Sequence, residues 1–288
     1  MADSMFEKGR EGFLAGTLDW DSQTFSVALM DLDTADVGVK QIGSSTNATP
    51  IVVTSTSHGF ANGDLVVITG HTTNTAANGV WAVAGQAANT FQLTDPITGG
   101  NSVGNGVGGA TGRAVNLGPS ASGDNWDDFD GTLVGAKVNL TSPTVTNGVA
   151  DAADVTFTSV TGATVEAVAV FRDTGTPSSS VMAALIDGRQ IVTCAAQAAS
   201  SSTSIAVERL RGGIPNGTVL AFSNGASATL SALANAGDRT ITVTSTAATI
   251  TAGSRADSPI TGSGLPVTPN GGNITLTFDS GVNRIFKL

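Results

Sequence analysis

Ile274-Thr275-Leu276-Thr277-Phe278 alternates large apolar with small polar side chains, and a period of two marks a strand with one buried face. The same alternation runs through Phe25-Ser26-Val27-Ala28-Leu29, Asp154-Val155-Thr156-Phe157 and Thr240-Ile241-Thr242-Val243. Val165 to Phe171 is apolar apart from Glu166 and shows little alternation, which suits a strand buried on both faces. Glycine, asparagine, serine and proline separate these stretches, as tight turns require. The reading is an all-β chain.

The wider composition agrees. Of 288 residues 36 are glycine, only 12% are charged and none is tyrosine. Thirteen basic against 23 acidic residues give a net charge of −10, which argues against nucleic acid as a partner, since that role needs clustered cations. One cysteine, Cys194, excludes an intramolecular disulfide framework and a cage of several thiolates around zinc. No apolar run approaches the roughly 20 residues that span a bilayer, so no membrane is expected. The opening residues, with Asp3 and Glu7 beside Lys8, carry no secretory pattern; synthesis in a reducing cytoplasm is the expectation.

Only the N-terminus reads as helical. Ser4 and Glu7 have capping-box spacing, and Met5, Phe6, Phe13 and Leu14 form an apolar stripe. Gly9 and Gly12 each weaken such a helix by about 1 kcal/mol relative to alanine, so it needs tertiary support.

Two stretches read as inserted modules. Residues 46–113 hold strand candidates at Pro50–Thr54, Asp64–Thr69, Val80–Ala84 and Thr90–Thr94, joined by turn signals such as Asn78-Gly79, and suit a small barrel. Residues 193–256 contain a repeat: Ile205, Val207, Ile214 and Gly217 recur 36 positions later as Ile241, Val243, Ile250 and Gly253, which predicts two similar β-arches packed together. Residues 1–45, 114–192 and 257–288 then form one discontinuous β-sandwich host domain, with a linear string of three domains as the competing arrangement. The terminal stretch from Val282 to Leu288 reads as a strand that needs a partner from earlier in the chain.

Chemistry is sparse. His58 and His71 stand 13 positions apart without nearby cysteine or clustered carboxylates, so turn or surface histidines are expected rather than a metal pair. Gly104 to Gly109 matches G-x-G-x-x-G by letter, but it follows no strand and opens no helix, so it reads as a loop. Asp124, Asp127, Asp128 and Asp130 loosely match a calcium loop, yet Trp126 stands at the first ligand position and the closing glutamate is missing. Asp19, Asp21, Asp31, Asp33 and Asp36 read as surface carboxylates, and Cys194 as a small buried hydrophobe. No catalytic, cofactor or metal set is assigned, and the expectation is a non-enzyme.

Phe6 to Gly16 through Asp19-Trp20 and Phe25–Leu29, Thr146 to Asp151, Phe171-Arg172-Asp173-Thr174-Gly175, Gly264 to Ile274 and Gly281 with Asn283 to Phe286 together resemble a family of tailed-bacteriophage virion accessory proteins. The inserts resemble small β modules recurrent in phage structural proteins, with His58-Gly59-Phe60, Asn78-Gly79-Val80-Trp81 and Thr90-Phe91 carrying the likeness of the first. The resemblance implies a capsid decoration (cement) protein on the outer surface of the head. Its partners would be the major capsid protein and its own copies, a homotrimer being the expected assembly. Met5, Phe6, Phe13, Leu14, Ile285, Phe286 and Leu288 are the contact candidates. A tail or tail-fibre component is the alternative, as is a module for host-surface glycans, for which Trp81 is the stacking candidate.

Overall fold

The structure, a computed structural model, describes residues 4–105, 112–118, 124–260, 264–278 and 285–287. Among the described residues the chain is mostly β with a single α-helix, α1 (Glu7–Ala15), and it divides into two compact units. Residues 1–40, 115–188 and 264–288 form the first unit, and 41–114 with 189–263 form the second.

The first unit is built on a five-stranded antiparallel sheet in the order Ser4–Met5, Met182–Ile186, Ala167–Arg172, Phe25–Met30, Leu133–Asn139. One face, with Phe25, Val27, Leu29, Val168 and Val170, packs on Val155, Phe157, Ala150, Phe278 and Ile285. Those residues come from shorter pairings: Val155–Phe157 with Ile274–Leu276, and Val149–Asp151 with Phe286–Lys287. Both faces of Phe25–Met30 are buried, so its alternation does not separate core from solvent. The small residues Ser26 and Ala28 are the ones that other side chains cover. Ser26 Oγ donates to the carboxylate of Asp173 at 2.8 Å, and Phe171 beside it stacks under Trp126 with centroids 4.5 Å apart.

The helix begins differently from the capping-box reading. Ser4 lies in an extended strand opposite Leu185, and the N-cap position belongs to Phe6, with no side-chain cap. Pairing with the sheet satisfies that backbone, and the Phe6 N–H continues it by donating to Ala183 O at 3.1 Å. Gly9 and Gly12 prove to be contact residues. A Cβ on Gly9 would stand 2.7 Å from Met182 O, and one on Gly12 would stand 2.6 Å from Leu18 Cγ. Helix propensity is given up there so that α1 can lie close against Met182–Ile186.

A seven-stranded sheet, most of whose residues belong to the second unit, runs in the order Val39–Ile42, Gly112–Gly118, Leu65–Thr69, Gly79–Ala84, Thr90–Thr94, Val52–Thr54, Ser44–Ser45. Its first and last strands are neighbours in the chain, separated only by Gly43, so the sheet curls round on itself. Alternate residues point inward and build a core of Val53, Phe60, Val66, Ile68, Trp81, Val83, Phe91 and Leu93.

Residues 189–260 follow an internal two-fold. Ser204–Ala206 pairs antiparallel with Thr240–Thr242, and Ile205 faces its own repeat equivalent, Ile241. A shift of 36 positions carries Arg189–Thr193 and Val219–Ala221 onto Ser227–Thr229 and Arg255–Pro259. Each half therefore closes a strand pair with the other's equivalent: Val219 faces Thr229 just as Arg255 faces Thr193. Hydrogen bonds obey the same rule: Ile214 N–H to Ala234 O at 2.9 Å matches Ile250 N–H to Ala198 O at 2.9 Å. Few of the repeat's positions are identical, yet the equivalents of Ile205, Val207 and Ile214 are all buried in one core. The symmetry also places the module's entry and exit strands, Arg189–Thr193 and Arg255–Pro259, side by side, as an insertion requires.

Candidate functional site

Of the apolar contact candidates on the N-terminal segment, the structure offers one to solvent. Leu14 is 84% exposed, whereas Phe6 is fully buried, its ring edge-on to Phe129 with centroids 5.3 Å apart. Phe13 is half-buried and stacks on Phe25 at 6.0 Å, and Met5 packs against the same core. Ile285 is fully buried and donates its N–H to Ala150 O, so it holds the C-terminal segment in place and is not available to a partner. Phe286 lies in the strand paired with Val149–Asp151, and Leu288 falls outside the described residues. An apolar stripe thus splits by geometry. The positions that meet the sheet become core and Leu14 faces out.

Trp81 is buried in the barrel, and its indole N–H donates to Ala77 O at 2.9 Å. Both its polar tip and its ring are engaged, so the glycan-stacking candidate is corrected to a core residue. The alternation of Gly79–Ala84 points Trp81 inward.

The histidines are buried, not surface groups. His58 Nδ1 accepts from the Phe60 N–H at 3.0 Å, and Nε2 lies 2.8 Å from Ala87 O, which fixes the proton on Nε2. It knits a turn together between the rings of Phe60 and Phe91. His71 has no partner for either ring nitrogen among the described residues, and burial holds its pKa below the usual histidine value. Its ring fills the space beside Gly112, where a Cβ would stand 2.2 Å from Nδ1.

Carboxylates are likewise occupied with local structure. Asp128 and Asn125 form a capping box around the turn Trp126–Asp128, and Asp124 lies 3.5 Å from Lys8 Nζ. Trp126, at the would-be first calcium-ligand position, is a core residue. Burial, then the charges of Asp36 and Asp127, raise the carboxyl of Asp130. Asp31, Asp33 and Glu166 bring three carboxylates within 4.8 Å, a grouping hidden in the sequence because Glu166 is remote from the other two. Glu166 accepts the Leu32 N–H at 3.0 Å, and Asp31 accepts from Asp33 N–H and the Thr34 hydroxyl. Cys194 is buried, its thiol donates to Ala196 O, and burial raises its pKa. Its repeat equivalent is Leu230, which pairs with Val243 as Cys194 pairs with Val207. Of the G-x-G-x-x-G match, Gly104 and Asn105 are described: Asn105 is tied to Thr75 and Ala76, and the remainder lies outside the described residues.

One concavity in the first unit combines apolar and charged lining. Lys8, Glu11, Gly12 and Ala15 of α1, with Thr17, Leu18, Arg172 and Val181, enclose about 310 Å³. Residues 8, 11 and 15 share a helix face by spacing alone. Arg172 and Val181 come from elsewhere in the chain and are joined by a backbone hydrogen bond of 2.9 Å. The sequence carried no signal that would bring Arg172 to this helix.

A scan against protein-family models and a search of curated proteins returned no match to this chain. Among the described residues, no helix is long and apolar enough to cross a membrane.

Proposed function

We propose that the chain is a structural component of a tailed-phage virion, a capsid decoration protein that binds the assembled head as a homotrimer. One observation carries this reading. Stretches that resemble the phage family are far apart in sequence, and they meet in one compact unit. Phe25–Met30 and Ala167–Arg172 are neighbouring strands of one sheet, α1 packs on its strand Met182–Ile186, and Val267 pairs with Val165. Stabilisation would follow mass action: many copies that bind only the assembled lattice oppose its dissociation. A net charge of −10 keeps such a coat from trapping DNA. The test is saturation binding of the purified chain to emptied phage heads, with copy number read by quantitative gel densitometry. Saturation at one trimer per small, fixed group of capsid subunits is expected. Binding without saturation, or antibody labelling confined to tails, overturns the proposal.

A further inference from the structure

The concavity beside α1 is the feature with the chemistry of a ligand site. Its lining combines the apolar Gly12, Ala15, Leu18 and Val181 with two cations, Lys8 and Arg172, and with Thr17 and Glu11. At about 310 Å³ it falls at the small end of the range for small-molecule pockets, roughly 300–1,000 Å³. Lys8 is fixed in position by Asp124 at 3.5 Å and Asn125 Oδ1 at 3.3 Å. Arg172 is different. Among the described residues its guanidinium has no ion pair or side-chain hydrogen bond, though the residue is only partly exposed. A fork of N–H donors in a lining that is otherwise largely apolar matches a planar acceptor carried on a short aliphatic stem.

We propose that this pocket binds an alkyl carboxylate, with Arg172 taking the carboxylate and Gly12, Ala15, Leu18 and Val181 taking the stem. Two sources have this chemistry, a free short-chain acid and a glutamate side chain of a neighbouring protein. Glu11 in the same lining opposes the ligand's charge and therefore limits affinity. The site does not depend on where the chain resides.

The test is a titration of the full ¹⁵N-labelled chain with sodium hexanoate, hexanol and hexylamine, followed through backbone amide shifts. Hexanoate should give saturable shifts at Lys8, Gly12, Leu18 and Val181. Arg172→Gln should weaken the midpoint about tenfold, the scale of one partly exposed charge-assisted hydrogen bond, and Arg172→Lys should restore part of it. Glu11→Gln should tighten binding, and it keeps the test available if Arg172→Gln does not fold. A parallel titration with an end-blocked tripeptide with a central glutamate separates the sources. Tighter peptide binding assigns a protein partner and tighter hexanoate binding a free acid. Hexanol acting at the same midpoint as hexanoate, an unchanged midpoint in a folded Arg172→Gln, or no saturable shift overturns the proposal.

Discussion

Replacing Ile205 and Ile241 by alanine, singly and together, tests the two-fold of residues 189–260. Both side chains are at most 1% exposed, and they face each other across the antiparallel pair at the centre of the module. Truncation to alanine removes three carbons. At about 0.8 kcal/mol per buried methylene this is about 2.4 kcal/mol before any cavity forms. The unfilled space adds to that, so about 3–4 kcal/mol per single variant is expected, within the usual 2–5 for such changes. The symmetry adds a sharper requirement: the two single variants should agree within about 0.5 kcal/mol, because each residue sits in the other's environment. The double variant should cost less than the sum by about 0.5–1 kcal/mol, since the second truncation no longer removes the contact between them. The assay is native-state hydrogen exchange at the amides of Ala198, Ile214, Ala234 and Ile250, whose hydrogen bonds cross between the halves. Single variants differing by more than about 1.5 kcal/mol, or strict additivity, would refute the reasoning.

Other expectations follow from single contacts. His71 is held neutral by burial, so its stabilisation is complete above the unfolded value near 6.5 and is lost as pH falls below it. Urea midpoints of the second unit should drop between pH 7.5 and 5, and an equal drop in His71→Leu would sink this account. Asp95 and Arg255, almost buried and 2.8 Å apart, join the curled sheet to the repeat module. Burial pushes the Asp95 carboxyl up, but the N–H groups of Thr98 and Ile97 together with Arg255 outweigh it and leave it lowered. Asp95→Asn strands a cation and should cost about 3–5 kcal/mol by chemical denaturation, whereas Asp95→Asn with Arg255→Met should recover a large part. Recovery of nothing would mean that the pair itself is not what matters. Gly9→Ala should detach α1 despite the better helix propensity, because its Cβ would stand 2.7 Å from a backbone oxygen. Exchange at the amides of Glu11 to Ala15 should accelerate, and slower exchange there would contradict the close packing.

How much could be read in advance differs by element. The doubly buried strand read over residues 165–171 was legible because 167–171 is apolar on both parities, and Ala167–Arg172 is one. The four strand candidates of residues 46–113 lie within a residue or two of the observed strands, because period and turn residues are local signals. Ser26 and Ala28 were not legible. Their alternation with Phe25, Val27 and Leu29 is that of a half-exposed strand, and tertiary contacts bury the second face: Asn139 and Asp173 meet Ser26, and Trp126 stacks on the neighbouring Phe171. Ser4 met the spacing of a cap, and pairing with Leu185, remote in sequence, drew it into a strand instead.

The sequence by itself determined the β class, the strands with strong alternation, and the repeat at 36 positions, since each depends on the order of neighbouring side chains. Tertiary structure decided which members of an apolar stripe are core and which are surface, so Phe6 is buried and Leu14 is bare. It also decided that Trp81 gives its N–H to the chain and that Arg172 stands beside Lys8 and Glu11. It turned four matched positions into a two-fold in which Ile205 meets Ile241. The physical reason is common to all of these. Burial and charge proximity depend on segments tens to hundreds of positions apart, and no local periodicity encodes which of them will meet.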